Sequence, residues 1–390
     1  MKIGIVWAAA LCAASLATAA HAQEELKLGV IAVLSGPGQP WGQAMARAAE
    51  MAADDANAKG FEVGGKRYTV KVVAYDSKYR ADEALAVANR LVLQDKVKFI
   101  IGPLGSAEAV ATQEITNANK VVTMTNGWSP RMLGPQLPYQ FRMTASTDEF
   151  AGPLIQWASQ RLKLKKIGGL FPNDELGQQA SKQVTSAYAK VGATTQIELF
   201  ERNRVDFVPL LTRLMNQGIE AIDLDGNAPA TAGLIVKQAR GLGFKGPIVR
   251  SGGPAEEEIL QVAGKEAAEG IYLYSPINLK DAAIQDFIAR YKKKYSGEVN
   301  GFAPAFYDST RILLDAIRRA GSVTDTDAVV KAVSDIKDFP GIQGKLNWTG
   351  KAVYGIDRQI ASDFYIVQLH GGKSEPVARC NYTSCADIAK

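Results

Sequence analysis

The residues of this sequence that could do chemistry are few, and the clearest of them is Ser106. It follows Gly102-Pro103-Leu104-Gly105 at the end of the apolar run 98–101, and residues 107–119 after it are compatible with a helix. Ligand sites in open α/β sheets lie at the carboxyl ends of strands, where helix-start N–H groups and the helix dipole hold anions. We therefore predict that Ser106 contacts an anionic ligand group. The alternative is that Ser106 only caps its own helix.

Histidine and cysteine, the usual residues of nucleophilic and metal chemistry, are scarce. Beyond residue 22 the sequence has one histidine, His370, and two cysteines, Cys380 and Cys385. One histidine and two cysteines make no plausible zinc site unless carboxylates complete it, so we predict no metal site. We expect Cys380 and Cys385 to form a disulfide of about 2 kcal/mol that ties the C-terminal tail.

Sequence motifs for cofactors and nucleophiles are missing. The sequence has no G-x-x-x-x-G-K-[ST] phosphate loop and no G-x-S-x-G nucleophile elbow. Gly36-Pro37-Gly38 lacks the third glycine of a dinucleotide loop and has a proline where such a loop needs an N–H group. We therefore predict no cofactor and no catalytic residue.

The first 22 residues have the composition of a cleaved secretory leader. Lys2 precedes the uncharged apolar run 3–20, and Ala20-His21-Ala22 fits an A-x-A cleavage site. We predict cleavage after Ala22 and export, without a transmembrane anchor. The formal net charge of the chain is +5. Because the basic residues are scattered, apart from 292–294 on the exposed side of a helix, we predict no nucleic-acid partner.

The elements that must position Ser106 alternate between strands and helices. The composition, with 47% hydrophobic and 22% charged residues among 390, is that of a soluble globular protein with room for two lobes. The predicted order is strand 26–33, helix 41–59, strand 68–75, helix 81–94, strand 98–101, helix 107–119, strand 121–124, and then a second run of the same kind over 150–274. This alternation predicts an α/β fold of two lobes with parallel sheets and helices on both faces.

An ordered series of short motifs resembles the periplasmic leucine/isoleucine/valine-binding protein family. The series comprises Ser35-Gly36-Pro37, the aromatic Trp41, Ile101 to Ser106, the helix 184–192 and the segment 236–243. The resemblance covers about residues 26–369, nearly the whole chain beyond the leader. Proteins of this family are the substrate-binding proteins of ABC importers. The resemblance therefore implies a periplasmic monomer with a small-molecule ligand and with ABC permease membrane subunits as partners.

The resemblance also implies the domain organisation. It predicts two doubly wound α/β lobes with parallel central sheets, joined by three hinge strands, with the ligand in the cleft between them. Lobe 1 is predicted at 26–145 plus 277–361, and lobe 2 at 146–276 plus 362–390. The disulfide of the leucine-binding protein is not kept, because its two cysteine positions fall near Tyr79 and Gly105.

Ligand positions of the family carry over onto this sequence one at a time. Trp41, Ser106 and Phe302 match the family's residue types, whereas Asn126 and Trp128 stand where the family offers a small residue and a Thr or Ser. In lobe 2 the family's tyrosine falls on Asn227, and the acidic residue that pairs with the ligand ammonium falls on Gly252. The predicted ligand-binding set is Trp41, Leu104, Gly105, Ser106, Asn126, Gly127, Trp128, Asn227, Arg250, Gly252 and Phe302.

Loss of the acidic residue at Gly252 disfavours an ordinary amino acid as the ligand. The three aromatic residues of the set would supply flat apolar walls, so we predict an aromatic or cyclic carboxylate, with Asn126 and Asn227 bonding a ring substituent. Asp225 could instead restore an ammonium partner, which would allow a branched-chain amino acid or an amide. Arg250 could bind a second carboxylate or pair with Asp225.

Two other functions compete with a binding protein of an importer. An exported hydrolase would need a base for its nucleophile, and with His370 alone that base would be a carboxylate. The candidate carboxylates, which are more typical of helix starts and surfaces, are Asp174, Glu175, Asp223 and Asp225. The second alternative is that the same fold serves as the ligand-sensing partner of a receptor. We predict a binding protein and no enzyme activity.

Overall fold

The computed structural model describes residues 24–388, so that the predicted leader 1–22 lies outside the described residues. In chain order the first segment contains β1 (Glu24–Ala32), α1 (Gln39–Ala58), β2 (Phe61–Val63), β3 (Lys66–Asp76), α2 (Ala81–Asn89), β4 (Phe99–Ile101), α3 (Ser106–Ala118), β5 (Val122–Thr125) and β6 (Gln140–Arg142). The second segment contains α4 (Thr147–Leu162), β7 (Lys166–Pro172), α5 (Glu175–Lys190), β8 (Thr194–Phe200), α6 (Val208–Asn216), β9 (Ala221–Asp223), α7 (Pro229–Gly241), β10 (Ile248–Arg250), α8 (Glu256–Ala263), α9 (Lys265–Ala268) and β11 (Tyr272–Ser275).

The remaining elements return first to one sheet and then to the other. The third segment contains α10 (Ala282–Lys294), α11 (Ala303–Ala320), α12 (Thr326–Ser334), β12 (Phe339–Gly341), β13 (Gly344–Thr349), α13 (Lys351–Tyr354) and β14 (Gln359–Ala361). The last segment contains β15 (Phe364–His370), β16 (Lys373–Cys380) and β17 (Cys385–Asp387).

The strands of residues 24–388 form two sheets. The first sheet has the order β12-β13-β14-β6-β5-β4-β1-β3-β2, and the second has the order β17-β16-β15-β11-β10-β9-β7-β8. The strands at the centre of each sheet run parallel, from β14 to β3 in the first and from β11 to β8 in the second. The predicted α/β fold with parallel central sheets is confirmed.

Both sheets end in antiparallel strands, which the prediction did not include. β2 pairs antiparallel with β3, β12 with β13 and β13 with β14, and in the second sheet β15, β16 and β17 continue β11 in antiparallel order. Most of these strands mix polar and apolar residues and lack the continuous apolar run that is typical of a strand buried on both faces. β15 is the exception, because it is mostly buried and begins with the apolar run 364–367.

The chain passes between the two sheets three times within the described residues. The crossings lie between β6 and α4, between β11 and α10, and between β14 and β15. Each crossing is a few residues long and contains one of the predicted lobe boundaries, which follow residues 145, 276 and 361. The bending of the lobes about these crossings stays a prediction.

A glycine fixes how closely α1 approaches the end of the first strand. A Cβ atom at Gly42 would lie 1.8 Å from the carbonyl oxygen of Val33, so only glycine allows this contact. The close approach carries the neighbouring Trp41 to the carboxyl end of the sheet, where it is 4% exposed. In the described part of the chain no helix is both long and apolar enough to cross a membrane.

Candidate functional site

A small cavity lies between the two sheets at the carboxyl ends of β1, β4 and β5. Its volume is about 10 Å³, roughly the room of one water molecule. Its walls are formed by Trp41, Tyr79, Leu104, Ser106, Asn126, Trp128, Leu176 and Phe302. We call this space the aromatic cavity, since four of its eight lining residues are aromatic. The described residues that line it include no charged side chain.

Three aromatic rings of the predicted set pack on one another around this cavity. The ring of Phe302 lies 6.0 Å from the ring of Trp41 and 6.0 Å from the ring of Trp128. Trp128 also packs edge-on against Phe150, at 5.2 Å between ring centroids. The indole N–H of Trp41 donates to the carbonyl oxygen of Pro254, at 2.8 Å, which lies on the other lobe. Trp41 therefore offers its ring to the cavity while its N–H group holds the lobes together.

Ser106 is the first residue of α3, and its hydroxyl oxygen already accepts two hydrogen bonds. The backbone N–H groups of Trp128 and Ser129 donate to it at 2.9 and 3.0 Å. Both lone pairs of the oxygen are thereby used, and the hydroxyl hydrogen has no acceptor among the described residues. The first N–H groups of a helix have no partner within the helix. Ser106 and its helix start can therefore donate hydrogen bonds to a ligand.

The orientation of the Asn126 amide is fixed by a short relay of hydrogen bonds. The indole N–H of Trp128 donates to the Thr144 hydroxyl at 3.1 Å, and that hydroxyl donates to Oδ1 of Asn126 at 2.5 Å. The acceptor side of the amide is thus occupied, and its Nδ2 lies 3.5 Å from the carbonyl oxygen of Leu104. Asn126 can therefore offer an N–H group to the cavity, as Ser106 offers an O–H group.

Two glycines of the predicted set shape the loops without lining the cavity. A Cβ atom at Gly105 would lie 2.3 Å from the ring of Tyr79, and one at Gly127 would lie 2.8 Å from the sulfur of Met132. The ring of Tyr79 thus fills the space at Gly105 where the resemblance places a family disulfide. Arg202 of the second lobe stacks on the other side of this ring, at 4.3 Å from its centroid.

Tyr79 and Leu176 are cavity residues that the sequence analysis did not predict. Tyr79 reaches the cavity from the loop after β3, and Leu176 from the first turn of α5 in the second lobe. The only sequence signal for Tyr79 was that it stands near a lost cysteine position. Leu176 gave no signal, because its contact depends on how the lobes meet.

The predicted residues of the second lobe lie outside the walls of the aromatic cavity. The amide nitrogen of Asn227 donates to the carbonyl oxygens of Leu170 and Leu224 at 2.8 and 3.0 Å. The guanidinium of Arg250 donates to the carbonyl oxygens of Gly253, Leu224 and Asn227, at 2.6, 2.9 and 2.7 Å. Arg250 is fully buried, so its bonds to these carbonyls organise the loops that bound the cleft.

The space at Gly252 is filled by Asp225 and Phe150. A Cβ atom at Gly252 would lie 2.3 Å from Oδ1 of Asp225 and 2.6 Å from the ring of Phe150. The carboxyl group of Asp225 accepts hydrogen bonds from the N–H of Gly226 at 2.6 Å and from the Thr147 hydroxyl at 3.2 Å. Burial, followed by the nearby Asp223 carboxyl, raises the pKa of Asp225 to about 7.

The carboxylates considered for a hydrolase have other partners. Asp174 accepts a hydrogen bond from the N–H of Gly177 at the start of α5. Glu175 accepts from the Ser129 hydroxyl at 2.7 Å and from Arg131 at 3.2 Å, both on the other lobe. Asp223 accepts from the hydroxyl of Tyr188 at 2.9 Å and from that of Ser251 at 2.9 and 3.0 Å. Nucleophile and base are therefore not brought together by these four acids.

The remaining candidates for chemistry lie far from the cavity, near the C-terminus. His370 is exposed and lies 2.5 Å from Glu269. Cys380 and Cys385 are joined by a disulfide between the adjacent strands β16 and β17. In residues 24–388 no group of three or more His, Cys, Asp or Glu side chains is placed to hold a metal ion.

Fold and site together define a protein of two α/β lobes with a small cavity between them, at the carboxyl ends of parallel strands. The sequence profile of the periplasmic binding protein family matches residues 25–373, and the chain belongs to this family. It is a substrate-binding protein of the kind that serves ABC transporters. The resemblance found in the sequence is thereby confirmed.

The relatives agree on the class of protein but not on the ligand. The Leu/Ile/Val-binding protein of Escherichia coli K12 is 27% identical over 338 residues, which cover 84% of this chain and 88% of the relative. A branched-chain amino acid transporter substrate-binding protein of Streptococcus pneumoniae, solved with isoleucine, superposes with a TM-score of 0.79 at 26% identity. That alignment covers 94% of this chain and 100% of the other. These relatives are transport binding proteins, which confirms the prediction that the chain is not an enzyme.

A third comparison concerns the fold alone. A solute-binding protein of an ABC transporter from R. palustris, solved with benzoate, superposes with a TM-score of 0.78 at 17% identity. The match covers 93% of this chain and 98% of that protein. The two proteins therefore share the two-lobed fold.

Proposed function

We propose that this protein binds a carboxylate-bearing aromatic or cyclic acid in the aromatic cavity and delivers it to the membrane subunits of an ABC permease. The observation that carries the proposal is the polarity of the cavity's hydrogen-bonding groups. Ser106 and Asn126 both have their acceptor oxygens occupied by protein donors. Ser106 can therefore only donate to a ligand, and Asn126, whose oxygen keeps one lone pair, offers its Nδ2 group. These donors suit a carboxylate, because a carboxylate only accepts.

The apolar walls support a ring as the other part of the ligand. The rings of Trp41, Tyr79, Trp128 and Phe302 bound a small space between the lobes. Flat ligands stack well on such rings, and aromatic pairs contribute about 0.5–1.5 kcal/mol beyond the burial of their area. A ring substituent that accepts hydrogen bonds would find the Nδ2 group of Asn126.

An amino acid fits these groups less well, because its ammonium needs acceptors. Asp225, the ammonium partner that the sequence suggests, bonds to Gly226 and Thr147 and lies beside the ring of Phe150, outside the cavity walls. Burying an unpaired ammonium costs about 3–5 kcal/mol. This corresponds to a loss of affinity of more than roughly a hundredfold. Branched-chain amino acids are nevertheless included as the alternative ligands in the binding test, because the E. coli relative is named for leucine, isoleucine and valine.

The role in transport follows from the family. We propose that the chain acts as a monomer in the periplasm after removal of the leader 1–22, and that the closed, ligand-bound form is the one the permease accepts. A pull-down of detergent-solubilised membranes with the ligand-loaded protein would separate an importer from a receptor. Recovery of permease subunits supports the importer, whereas recovery of a receptor alone would assign a sensing role.

The ligand is tested by thermal shift, followed by calorimetry. Benzoate, 4-hydroxybenzoate, cyclohexanecarboxylate, benzamide, leucine and isoleucine are compared at one concentration, and each hit is titrated. We expect the aromatic and cyclic acids to raise the melting temperature and to bind at micromolar Kd or tighter. Micromolar binding of leucine with silent aromatic acids would show that the proposed ligand class is wrong.

A further inference from the structure

Glu108 is a buried carboxyl group at the same helix start that carries Ser106. It lies in the first turn of α3 and is 1% exposed. Its Oε2 accepts a hydrogen bond from the backbone N–H of Gly105 at 2.6 Å. Its Oε1 is buried and has no hydrogen-bond partner among the described residues. A buried carboxyl oxygen without a partner is costly as an anion, and much less so when it carries a proton.

The neighbours of Glu108 favour its neutral form. Burial raises the pKa of Glu108 to about 7, and the Asp76 carboxyl nearby acts in the same direction. The Gly105 N–H, the Ser77 hydroxyl and the Arg202 guanidinium oppose the rise. Arg202 is ion-paired with Asp174 of its own lobe. Both charges belong to the second lobe, and of the two it is Arg202 that lowers the pKa of Glu108.

An anion bound at Ser106 adds a second negative charge to this helix start. Ser106 and Glu108 lie two residues apart in the first turn, and the dipole of one helix favours one negative charge at its end. Two carboxylates in one desolvated site cannot both stay ionised without a large repulsion. Closure of the lobes strengthens the repulsion, because water leaves the cavity.

We propose that Glu108 takes up a proton from solvent when a carboxylate ligand binds, so that affinity depends on pH through this side chain. The inference rests on the proposed function, since it requires an anionic ligand at Ser106. The proton bonds to the free Oε1, and no other bond forms or breaks. Glu108 touches no ligand in this account. Glu108 is a positioning and specificity-determining residue, because the site binds an anion well only while the Glu108 carboxyl group is neutral.

The direction of the pH dependence follows from linkage. The bound anion raises the pKa of Glu108, so a fraction of a proton is bound with each ligand near neutral pH. The affinity for benzoate should then fall as the pH rises above neutrality, by up to about tenfold per pH unit between the free and bound pKa values. Benzoate itself stays ionised over this range, because its carboxyl group titrates at much lower pH.

Isothermal titration calorimetry of the full mature chain with benzoate tests the proposal. The titration is done at pH 6, 7 and 8, each time in phosphate and in a buffer of high ionisation enthalpy. The difference in binding enthalpy between the two buffers gives the number of protons taken up per ligand bound. We expect wild type to take up roughly half a proton near pH 7. Glu108→Gln, which keeps an oxygen for the Gly105 N–H, should take up none and should bind with little pH dependence.

Glu114→Gln is the matched control, because Glu114 is an exposed glutamate on the same helix and loses the same charge. It should keep the proton uptake of wild type. Benzoate binding without proton uptake in wild type would overturn this inference and leave the proposed function standing, as would uptake that persists in Glu108→Gln. Leucine binding with no response to benzoate would overturn the proposed function, and this inference with it. Absence of proton uptake in wild type would overturn the inference even if Glu108→Gln folds poorly.

Discussion

Ser106 has two roles in the proposed site: it fixes a loop of the cleft and offers a hydrogen bond to the ligand. Its oxygen accepts from the N–H groups of Trp128 and Ser129, which fixes the loop after β5, and its hydrogen is left for the ligand. We expect Ser106→Ala to weaken benzoate binding by roughly 10–100-fold, since a hydrogen bond to a charged group contributes about 1.5–3 kcal/mol. Calorimetry measures this loss, with Ser181→Ala on a partly exposed position of α5, outside the cavity walls, as the control. An unchanged Kd would exclude Ser106 from the ligand site.

Gly252 is required by its neighbours and not by its backbone. A Cβ atom there would meet Asp225 Oδ1 at 2.3 Å and the Phe150 ring at 2.6 Å. We expect Gly252→Ala to lower the free energy of unfolding by about 1–3 kcal/mol, the usual cost of overpacking. Gly152→Ala is the control, because a Cβ at Gly152, inside α4, meets nothing within 4 Å. That change should stabilise by about 0.5–1 kcal/mol. If the denaturation curves of the two variants coincide, this account is contradicted.

The sequence was informative about residues that occupy family positions and uninformative about contacts made across the cleft. Trp41, Ser106, Asn126, Trp128 and Phe302 were predicted from their order along the chain, and all five line the aromatic cavity. Tyr79 was missed because its ring reaches the cavity through the space of an absent disulfide. Asn227 and Arg250 were predicted as ligand residues, but their side chains bond to backbone carbonyls, and a sequence does not specify such partners.

The helices and the parallel strands were predicted well. A buried parallel strand is a short continuous apolar run, and a helix repeats apolar residues at helical spacing, so both patterns are visible in the local sequence. The last three strands were not predicted. β16 mixes polar and apolar residues, and β17 is short and largely exposed. Their position depends on β11, which lies about a hundred residues earlier in the chain and pairs with β15. Antiparallel edges of this kind are set by the partner strand, and their own sequence carries little of the signal.

The disulfide joins directly opposed residues of β16 and β17, and the loop it closes is short. Closing a short loop restricts the unfolded chain only a little. We therefore expect the double variant Cys380→Ser, Cys385→Ser to lose about 2 kcal/mol of unfolding free energy. Its ligand affinity should not change. β17 is also held by the Trp157 indole N–H, which donates to Asp387 at 2.6 Å. Denaturant titration and calorimetry test both parts. If mass spectrometry detects free thiols at Cys380 and Cys385 in the oxidised wild type, the disulfide is absent.

The protein as a whole should be more stable in mild acid than in mild alkali. Burial raises the pKa values of Glu108 and Asp225 to about 7, above those of the unfolded chain at roughly 4. The folded state therefore binds more protons between these values, and stability falls as the pH rises from about 4.5 to 7 and then levels off. We expect a higher melting temperature at pH 5.5 than at pH 8 without ligand. The double variant Glu108→Gln, Asp225→Asn should lose part of this difference, because Glu256 is also raised to a pKa of about 7. A wild type equally stable at both pH values would contradict the argument.

The lobes are held in contact by groups at the rim as well as by the cavity walls. Glu175 of the second lobe accepts from Ser129 and Arg131 of the first, and Trp41 donates to Pro254 in the opposite direction. These bonds exist only when the lobes meet, so they stabilise the closed state without touching the ligand. We expect Glu175→Gln to weaken benzoate binding by about 3–10-fold, mainly through faster dissociation.

Small-angle scattering with and without ligand separates closure from direct contact. Wild type should become more compact at saturating benzoate, because three short crossings allow the lobes to bend with few contacts broken. Glu175→Gln should need more ligand for the same compaction, whereas Glu198→Gln should behave as wild type, since Glu198 pairs with Arg213 within one lobe. No compaction of wild type at saturation would reject hinge bending. A Glu175→Gln variant with wild-type affinity would show instead that the rim contacts do not control closure.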